Sequence, residues 1–252
     1  MKNQTKQSVS VIIPLHNEEV FLWSQVAGLI KQLEQLRVNN YEIILVENGS
    51  TDKTLSIAKK LKKTNAKIRV FTLPHPNYGE AIKYAILSAR NDLIIQLDLD
   101  WMDGPFMKQA INKYATYDIL VGSKFLGKVD KRSMARKILS NLLRFVIRVL
   151  FGYEGSDTHG IKAYKKNIVA TMIQDIPQSI HLFDTLILIR AKDMGYRIRE
   201  IPANIRELRP SRFPSLLRMI QVLFEVGKLV IIKLNGWTIE TKKRDYHLAV
   251  TK

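Results

Sequence analysis

The chain has 252 residues, of which 46% are hydrophobic and 25% charged, with no cysteine and a formal net charge of +17. Such a length and composition describe one sizeable folded α/β domain with room for a small appendage. Without cysteine there is no disulfide framework and no thiolate metal site, which fits a reducing compartment. The polar segment Met1–Ser10 has no signal-peptide core, so a cytoplasmic protein is expected.

Val9–Leu15 reads as a strand, Glu18–Arg37 as a helix, Tyr41–Val46 as a strand and Lys53–Lys62 as a helix. A strand over Ile68–Leu73, a helix over Tyr78–Ala89 and a strand over Leu93–Leu97 follow. This alternation predicts a mainly parallel sheet covered by helices, with a ligand crevice outside the carboxyl ends of the strands. Polar clusters stand at those ends: His16-Asn17-Glu18, Glu47-Asn48-Gly49-Ser50 and Asp98/Asp100. Gly49–Asp52 reads as a tight turn feeding a helix start, which by itself accounts for Ser50 and Asp52.

At Leu93–Asp100 an apolar run ends in two acids separated by one residue. Along an extended chain, alternation sends both to the same side. Two like charges so close need a cation or hydrogen bonds to neutralise them. Mg2+ or Mn2+, held by one or two carboxylates plus substrate phosphates, would do so; the alternative is a pair of solvated acids at a strand end.

In the second half, Asp118–Ser123 reads as a strand and Arg132–Phe151 as a long basic helix. Asp157–Lys166 reads as a polar turn plus a short strand, His181–Met194 as a helix, and Tyr196–Ile201 as a strand that Pro202 ends. A last helix, about 213–236, starts near Pro214 and runs to Leu234. There is no repeat and no low-complexity linker, so one domain over 1–252 is expected. Its nucleotide half spans about 8–123 and its acceptor half about 124–212.

The positive charge is uneven: eight Lys or Arg against one acid from Lys124 to Phe151, and eleven against four from Arg197 to Arg244. No zinc finger or aromatic RNA-binding strand pattern accompanies it, so the field points to a membrane or phosphate and not to nucleic acid. On the Arg132–Phe151 helix, Lys137, Arg144 and Arg148 fall together, away from Ile138, Leu142, Phe145 and Val149. On the last helix Arg218, Gln221, Glu225 and Lys228 make a polar strip. Either both apolar faces pack on the sheet, the simpler expectation, or they lie in a membrane interface. Neither uncharged stretch reaches the roughly 20 apolar residues that span a bilayer.

With these residues in hand, the chain resembles family 2 glycosyltransferases of the GT-A fold, most closely the dolichyl- or polyprenyl-phosphate mannose or glucose synthase branch. Seven blocks carry the resemblance in the family's order: Val11–Glu19, Ile44–Thr54, Asn77–Gly79, Leu97–Asp100, Gly122–Phe125, Asp157–Ala163 and Gly195–Pro202. The resemblance implies an inverting transfer of a hexose from a nucleotide-sugar, GDP-mannose or UDP-glucose, to a polyprenyl phosphate. It places Pro14, Asn17, Glu18, Glu47, Asn48, Gly79 and Asp98 at the donor, and a Mg2+ or Mn2+ ion on Asp98 and Asp100. Asp157, Asp100 and Arg136 would carry the chemistry, with Lys124, Arg132, Arg209 and Arg212 at the acceptor phosphate. An enzyme bound peripherally to the cytoplasmic face of an anionic membrane follows; its oligomeric state does not.

Three departures qualify the resemblance. Glu47-Asn48 stands where consecutive aspartates are usual, and Lys124 where an Arg is common, a point charge in place of a fork. Met102 occupies the place of a metal-holding Gln; Asp103 either compensates or caps the helix starting at Pro105. If the acceptor were a sugar hydroxyl, a carboxylate base would be needed, Asp157 first and Asp184 second. Asp157 and His159 each have a structural alternative, a turn-capping acid and a structural histidine. His16, His75, His181 and His247 have no metal-ligand spacing. A nucleotide-sugar-binding protein that has lost efficient catalysis is the reading of a different class.

Overall fold

The structure, a computed structural model, describes residues 7–127, 134–174, 176–177, 182–203 and 215–234; within these, the side chains at 135, 136, 139, 215–223 and 233 are not among those described. The first half runs β1 (Val9–Leu15), α1 (Leu22–Gln35), β2 (Tyr41–Asn48), α2 (Thr54–Thr64), β3 (Ile68–Leu73), α3 (Tyr78–Ser88), β4 (Leu93–Gln96) and α4 (Gly104–Asn112). The second runs β5 (Ile119–Ser123), α5 (Met134–Phe151), β6 (Lys162–Lys165), α6 (Lys166–Met172), α7 (Phe183–Asp193), β7 (Ile198–Pro202) and α8 (Ser215–Leu234). The strands form one sheet in the order β3-β2-β1-β4-β6-β5-β7, with β6 alone antiparallel to its neighbours.

The strands are apolar on both faces because helices cover both. Val9, Val11, Ile13, Ile43, Leu45, Leu93 and Ile95 face one layer of the core with α1, α2 and α4. Ile12, Ile44, Val46 and Ile94 face the other, with α3, α5, α6, α7 and α8. Alternation alone therefore cannot fix strand register, since a slip by one residue exchanges apolar for apolar. Polar stitching at the amino ends does it. Ser10 Oγ donates to Glu42 at 2.7 Å, Arg69 donates to the same carboxylate at 2.7 Å, and the Arg90 backbone N–H donates to it at 2.6 Å. Beyond β4, Asp118 plays the same part for β5, β6 and β7, taking hydrogen bonds from Arg197 and Lys165.

The expected order of strands and long helices is present, with four corrections. The first helix begins at Leu22, not Glu18. Asn17 has a φ of 55°, a left-handed turn that Asn tolerates, and the Glu18 carbonyl caps the chain by accepting from Phe21 and Leu22. Asp98 and Asp100 do not continue the strand: β4 stops at Gln96, and the Trp101 N–H closes a turn onto the Asp98 carbonyl at 2.9 Å. Helix α6, too short for a clear period, was not expected at all. The last correction concerns the apolar face of α5. Ile147 and Phe151 do the packing, while Ile138 (63%), Phe145 (64%) and Val149 (64%) are exposed along a stripe shared with the half-open Leu142. On α8, Val226, Leu229 and Ile232 are buried, whereas Phe224, Ile231 and Leu234 are exposed. Among the described residues no helix is long and apolar enough to cross a membrane.

Candidate active site

The carboxyl ends of β1, β2 and β4 bring three loops together, as a parallel sheet must. After β1, the half-buried Pro14 leads into His16, whose Nδ1 lies 2.8 Å from the Asn48 carbonyl. Asn17 Oδ1 accepts from the Thr51 N–H at 2.9 Å, and Thr54 Oγ1 accepts from the Glu18 N–H at 2.6 Å. Asp52 accepts from the Glu19 and Thr54 N–H groups; burial opposes its ionisation, but these bonds hold its carboxyl below the usual value. Ser50 and Asp52 are thus the turn residues that local chemistry implies.

β2 runs on through Glu47 and Asn48, two residues past the expected end at Val46, and both side chains are buried. Glu47 accepts from the Ser50 N–H at 2.5 Å, and Asn48 Oδ1 from the Asn77 N–H at 2.6 Å. Gly49 has a φ of +63°, and a Cβ there would meet Pro76 at 2.8 Å, so the two loops touch only because this residue is glycine. Asn77 then caps α3 by accepting from Glu80, and Gly79 lies buried in that helix's first turn.

Asp98 and Asp100 are both half-buried, on either side of the buried Leu99. Loss of hydration and the neighbouring Asp184 and Asp100 push the Asp98 carboxyl up to about 7, against the pull of Lys162; Glu18 adds a further like charge. Among the described groups that act on Asp98, carboxylates outnumber ammonium groups. Asp103 caps α4 by accepting from the Phe106 N–H at 2.9 Å, and Met102 packs into the core, so neither supplies an obvious third ligand. Among the described residues no group of three or more His, Asp or Glu is arranged to hold a metal. A pair of hard oxygen ligands with surplus negative charge fits Mg2+ or Mn2+ completed by substrate oxygens, and does not fit a closed all-protein cage.

On the other side of the cleft, Lys124 and Asp157 come together. Lys124 Nζ lies 3.0 Å from Asp157 Oδ1, and the Lys124 and His159 backbone N–H groups donate to the same carboxylate. Ser156 donates to Glu200 through both its N–H and its hydroxyl, which fixes the turn from below. A Cβ on Gly160 would lie 2.0 Å from the Gly122 carbonyl, so this turn too needs glycine. Loss of hydration and the charges of Lys124 and Lys162 push the His159 ring down to about 4, against the pull of Asp184 and Asp157. Lys124 is tied to α5 through an aromatic step. The Arg144 guanidinium lies 4.6 Å from the centre of the Phe125 ring and the Lys124 ammonium 5.6 Å from it. Arg132, Arg209 and Arg212 lie outside the described residues, as do His181 and His247; Arg136 lies in α5 with its side chain outside them.

Beneath Asp98 is a polar cluster that the motifs did not reveal. Asp184, at the start of α7, accepts from Tyr78 at 2.8 Å and from Gln96 at 2.9 Å, with the Lys162 ammonium 3.5 Å away. Lys162 is fully buried and donates to the Gly160 carbonyl at 2.6 Å, while Tyr164 donates to Gln96 at 2.9 Å. The available signals were a Gln in the otherwise apolar strand Leu93–Gln96 and an Asp in the apolar helix that begins at Phe183.

Residues 10–172 match the model of glycosyl transferase family 2. The chain is 29% identical over 254 residues to a dolichyl-phosphate beta-glucosyltransferase of Trichomonas vaginalis, covering 93% of this chain and 77% of that one. It is 30% identical over 231 residues to an undecaprenyl-phosphate 4-deoxy-4-formamido-L-arabinose transferase of Photorhabdus laumondii, covering 87% and 67%. Among solved structures, a mannosyltransferase of Pyrobaculum calidifontis in complex with GDP-Man and Mn2+ superposes with a TM-score of 0.66 at 18% identity, over 90% of this chain and 65% of that one. A glucosyl-3-phosphoglycerate synthase of Mycobacterium tuberculosis in complex with UDP gives 0.62 at 18% identity, over 88% and 80%. At such identities the likeness speaks to the fold, a mainly parallel sheet of the GT-A type.

Proposed function

Because the chain belongs to glycosyl transferase family 2, and is a glycosyltransferase, we propose that it moves a hexose from a nucleotide-sugar to a polyprenyl phosphate at a membrane surface. GDP-mannose and UDP-glucose are the two donors to test. The observation that carries this reading is the pairing of an exposed apolar stripe on α5 with cations of the same helix, one of which, Arg144, is joined through Phe125 to Lys124. Ile138, Phe145 and Val149 would lie among acyl chains, with Lys137, Arg144 and Arg148, turned away from them on the helix, facing anionic headgroups. From Arg144 the Phe125 ring leads to Lys124 and the cleft, the direction a lipid phosphate would take. Both curated relatives described above carry a polyprenyl phosphate in their names.

In this mechanism a phosphate oxygen of the acceptor attacks the anomeric carbon, the bond from that carbon to the nucleoside diphosphate breaks, and configuration inverts. The nucleophile is already anionic near neutral pH, so no strong base is required. That suits Asp157, whose carboxylate is occupied by Lys124 and the His159 N–H. Held by Asp98 and Asp100, Mg2+ or Mn2+ would neutralise the departing diphosphate. The chain's own part is to hold donor and acceptor in line and to supply cations on the acceptor side. Pro14, Asn17, Glu18, Glu47, Asn48 and Gly79 would frame the nucleoside; with Glu47 and Asn48 tied to loop N–H groups, much of that framing falls to the loops they shape.

The test is transfer of labelled hexose from each donor, with Mn2+ and polyprenyl phosphate in vesicles, into an organic-soluble product. Label that enters the lipid and disappears with EDTA supports the reading and names the donor. Label appearing only in a water-soluble glycan would replace it with a hydroxyl acceptor, and nucleotide binding without any transfer would favour a binding protein.

A further inference from the structure

Two of the site's turns come from distant parts of the chain, and α7 touches both. On the donor side, Tyr78 opens α3 directly after Asn77, whose N–H donates to Asn48 Oδ1, and the Tyr78 hydroxyl donates to Asp184. On the acceptor side, Lys162 donates to the Gly160 carbonyl and pairs with Asp184, and Thr185 donates to Thr158 at 2.9 Å. Gln96, two residues before Asp98, donates to Asp184 as well. Asp184 and Thr185 are buried, and Asp184 is surrounded by two hydrogen-bond donors and an ammonium group. A carboxylate so engaged is a good pivot, since each bond fixes the angle of a different segment.

We propose that Asp184 is a positioning residue that holds the donor-side turn Asn77–Gly79 and the acceptor-side turn Ser156–Gly160 in one register, with Lys162 as its counter-ion and Thr185 as a second link to the acceptor turn. This rests on the reading of the cleft as a donor and acceptor site. The neighbouring links separate the two effects: Tyr78→Phe cuts two donor-side bonds, to Asp184 and from Gln96, and Thr185→Val one acceptor-side bond, to Thr158.

The experiment measures three quantities on the full chain: affinity for the free nucleoside diphosphate with Mn2+ by calorimetry, kcat and acceptor KM in the transfer assay, and Tm. Asp184→Ala should weaken nucleotide binding and lower kcat, each on the order of 10–100-fold. Asp184→Asn, which keeps an acceptor for Tyr78 or Gln96, should recover most of both. Tyr78→Phe should weaken nucleotide binding by several-fold with acceptor KM unchanged, and Thr185→Val should do the reverse. Should Asp184→Ala not fold, those two milder variants still decide the matter. A lowered Tm with nucleotide affinity and kcat within twofold of wild type would reduce Asp184 to a structural residue and overturn the proposal. An Asp184→Asn variant that binds nucleotide normally but has lost all turnover would make it a base and overturn it too. Nucleotide affinity is read without any acceptor, so failure of lipid transfer in the wild-type chain would remove the proposed function while leaving the donor-side link testable.

Discussion

The two ends of the sheet treat their carboxylates in opposite ways. At the amino end Arg197 holds the Asp118 carboxyl well below the usual range, with Lys165 adding to the effect. Burial works against ionisation of Glu42, yet Arg69, Ser10 and the Arg90 N–H still hold its carboxyl low. At the carboxyl end Asp98 is pushed up to about 7 by burial and by Asp184 and Asp100, against the pull of Lys162. The first end is balanced from within and keeps strands in register. Among the described residues the second is left with a negative surplus around Asp98, which is the mark of a binding end and not of a structural one.

Replacing Asp98 or Asp100 by Ala should break the functional end most severely, lowering turnover by on the order of 10²–10³-fold with Tm unchanged or raised, as transfer assays and thermal melts on the same samples would show. The second largest effect is expected on the membrane. Phe145→Asp with Val149→Asp should abolish co-flotation with anionic vesicles while leaving nucleotide binding intact; unchanged flotation would return α5 to the role of a plain surface helix.

A pH series sharpens the contrast further. The Asp98 carboxyl is raised above its ordinary value of 3.8, so the folded chain keeps a proton that the unfolded chain loses. Its contribution to stability therefore falls as pH rises from about 4 to about 7 and levels off above that. Metal must displace the same proton, so apparent Mn2+ affinity should fall about tenfold per pH unit below about 7. Glu42 and Asp118 run the other way: their stabilisation is present above the ordinary carboxylate range and is lost as pH falls through it. The smallest effect belongs to the balanced end. Glu42→Gln keeps its hydrogen bonds in part and should cost about 1–2 kcal/mol in denaturant unfolding, without changing turnover.

Much of this was legible in the residues themselves. Apolar runs such as Val9–Leu15 and Leu93–Gln96 can only be buried strands, and the polar clusters that end them mark the crevice. What the residues hid has physical causes. Helix α5 is apolar on two faces, and periodicity cannot say which of Ile147 and Phe145 meets the sheet. Nothing next to Lys162 in the chain announces its burial; its partner Asp184 stands 22 positions later. The Asp98–Trp101 turn likewise depends on a single backbone hydrogen bond that no alternation of residue types announces.

The most direct measurement is calorimetric titration of a nucleoside diphosphate into the wild-type chain and into the Asp98→Asn, Asp100→Asn double variant, with and without Mn2+ at pH 7.5. Tight binding that needs both Mn2+ and the two carboxylates is the expected result. Equal affinity in the double variant, or binding indifferent to Mn2+, would contradict the assignment of the carboxyl-end charge deficit to a metal–diphosphate site.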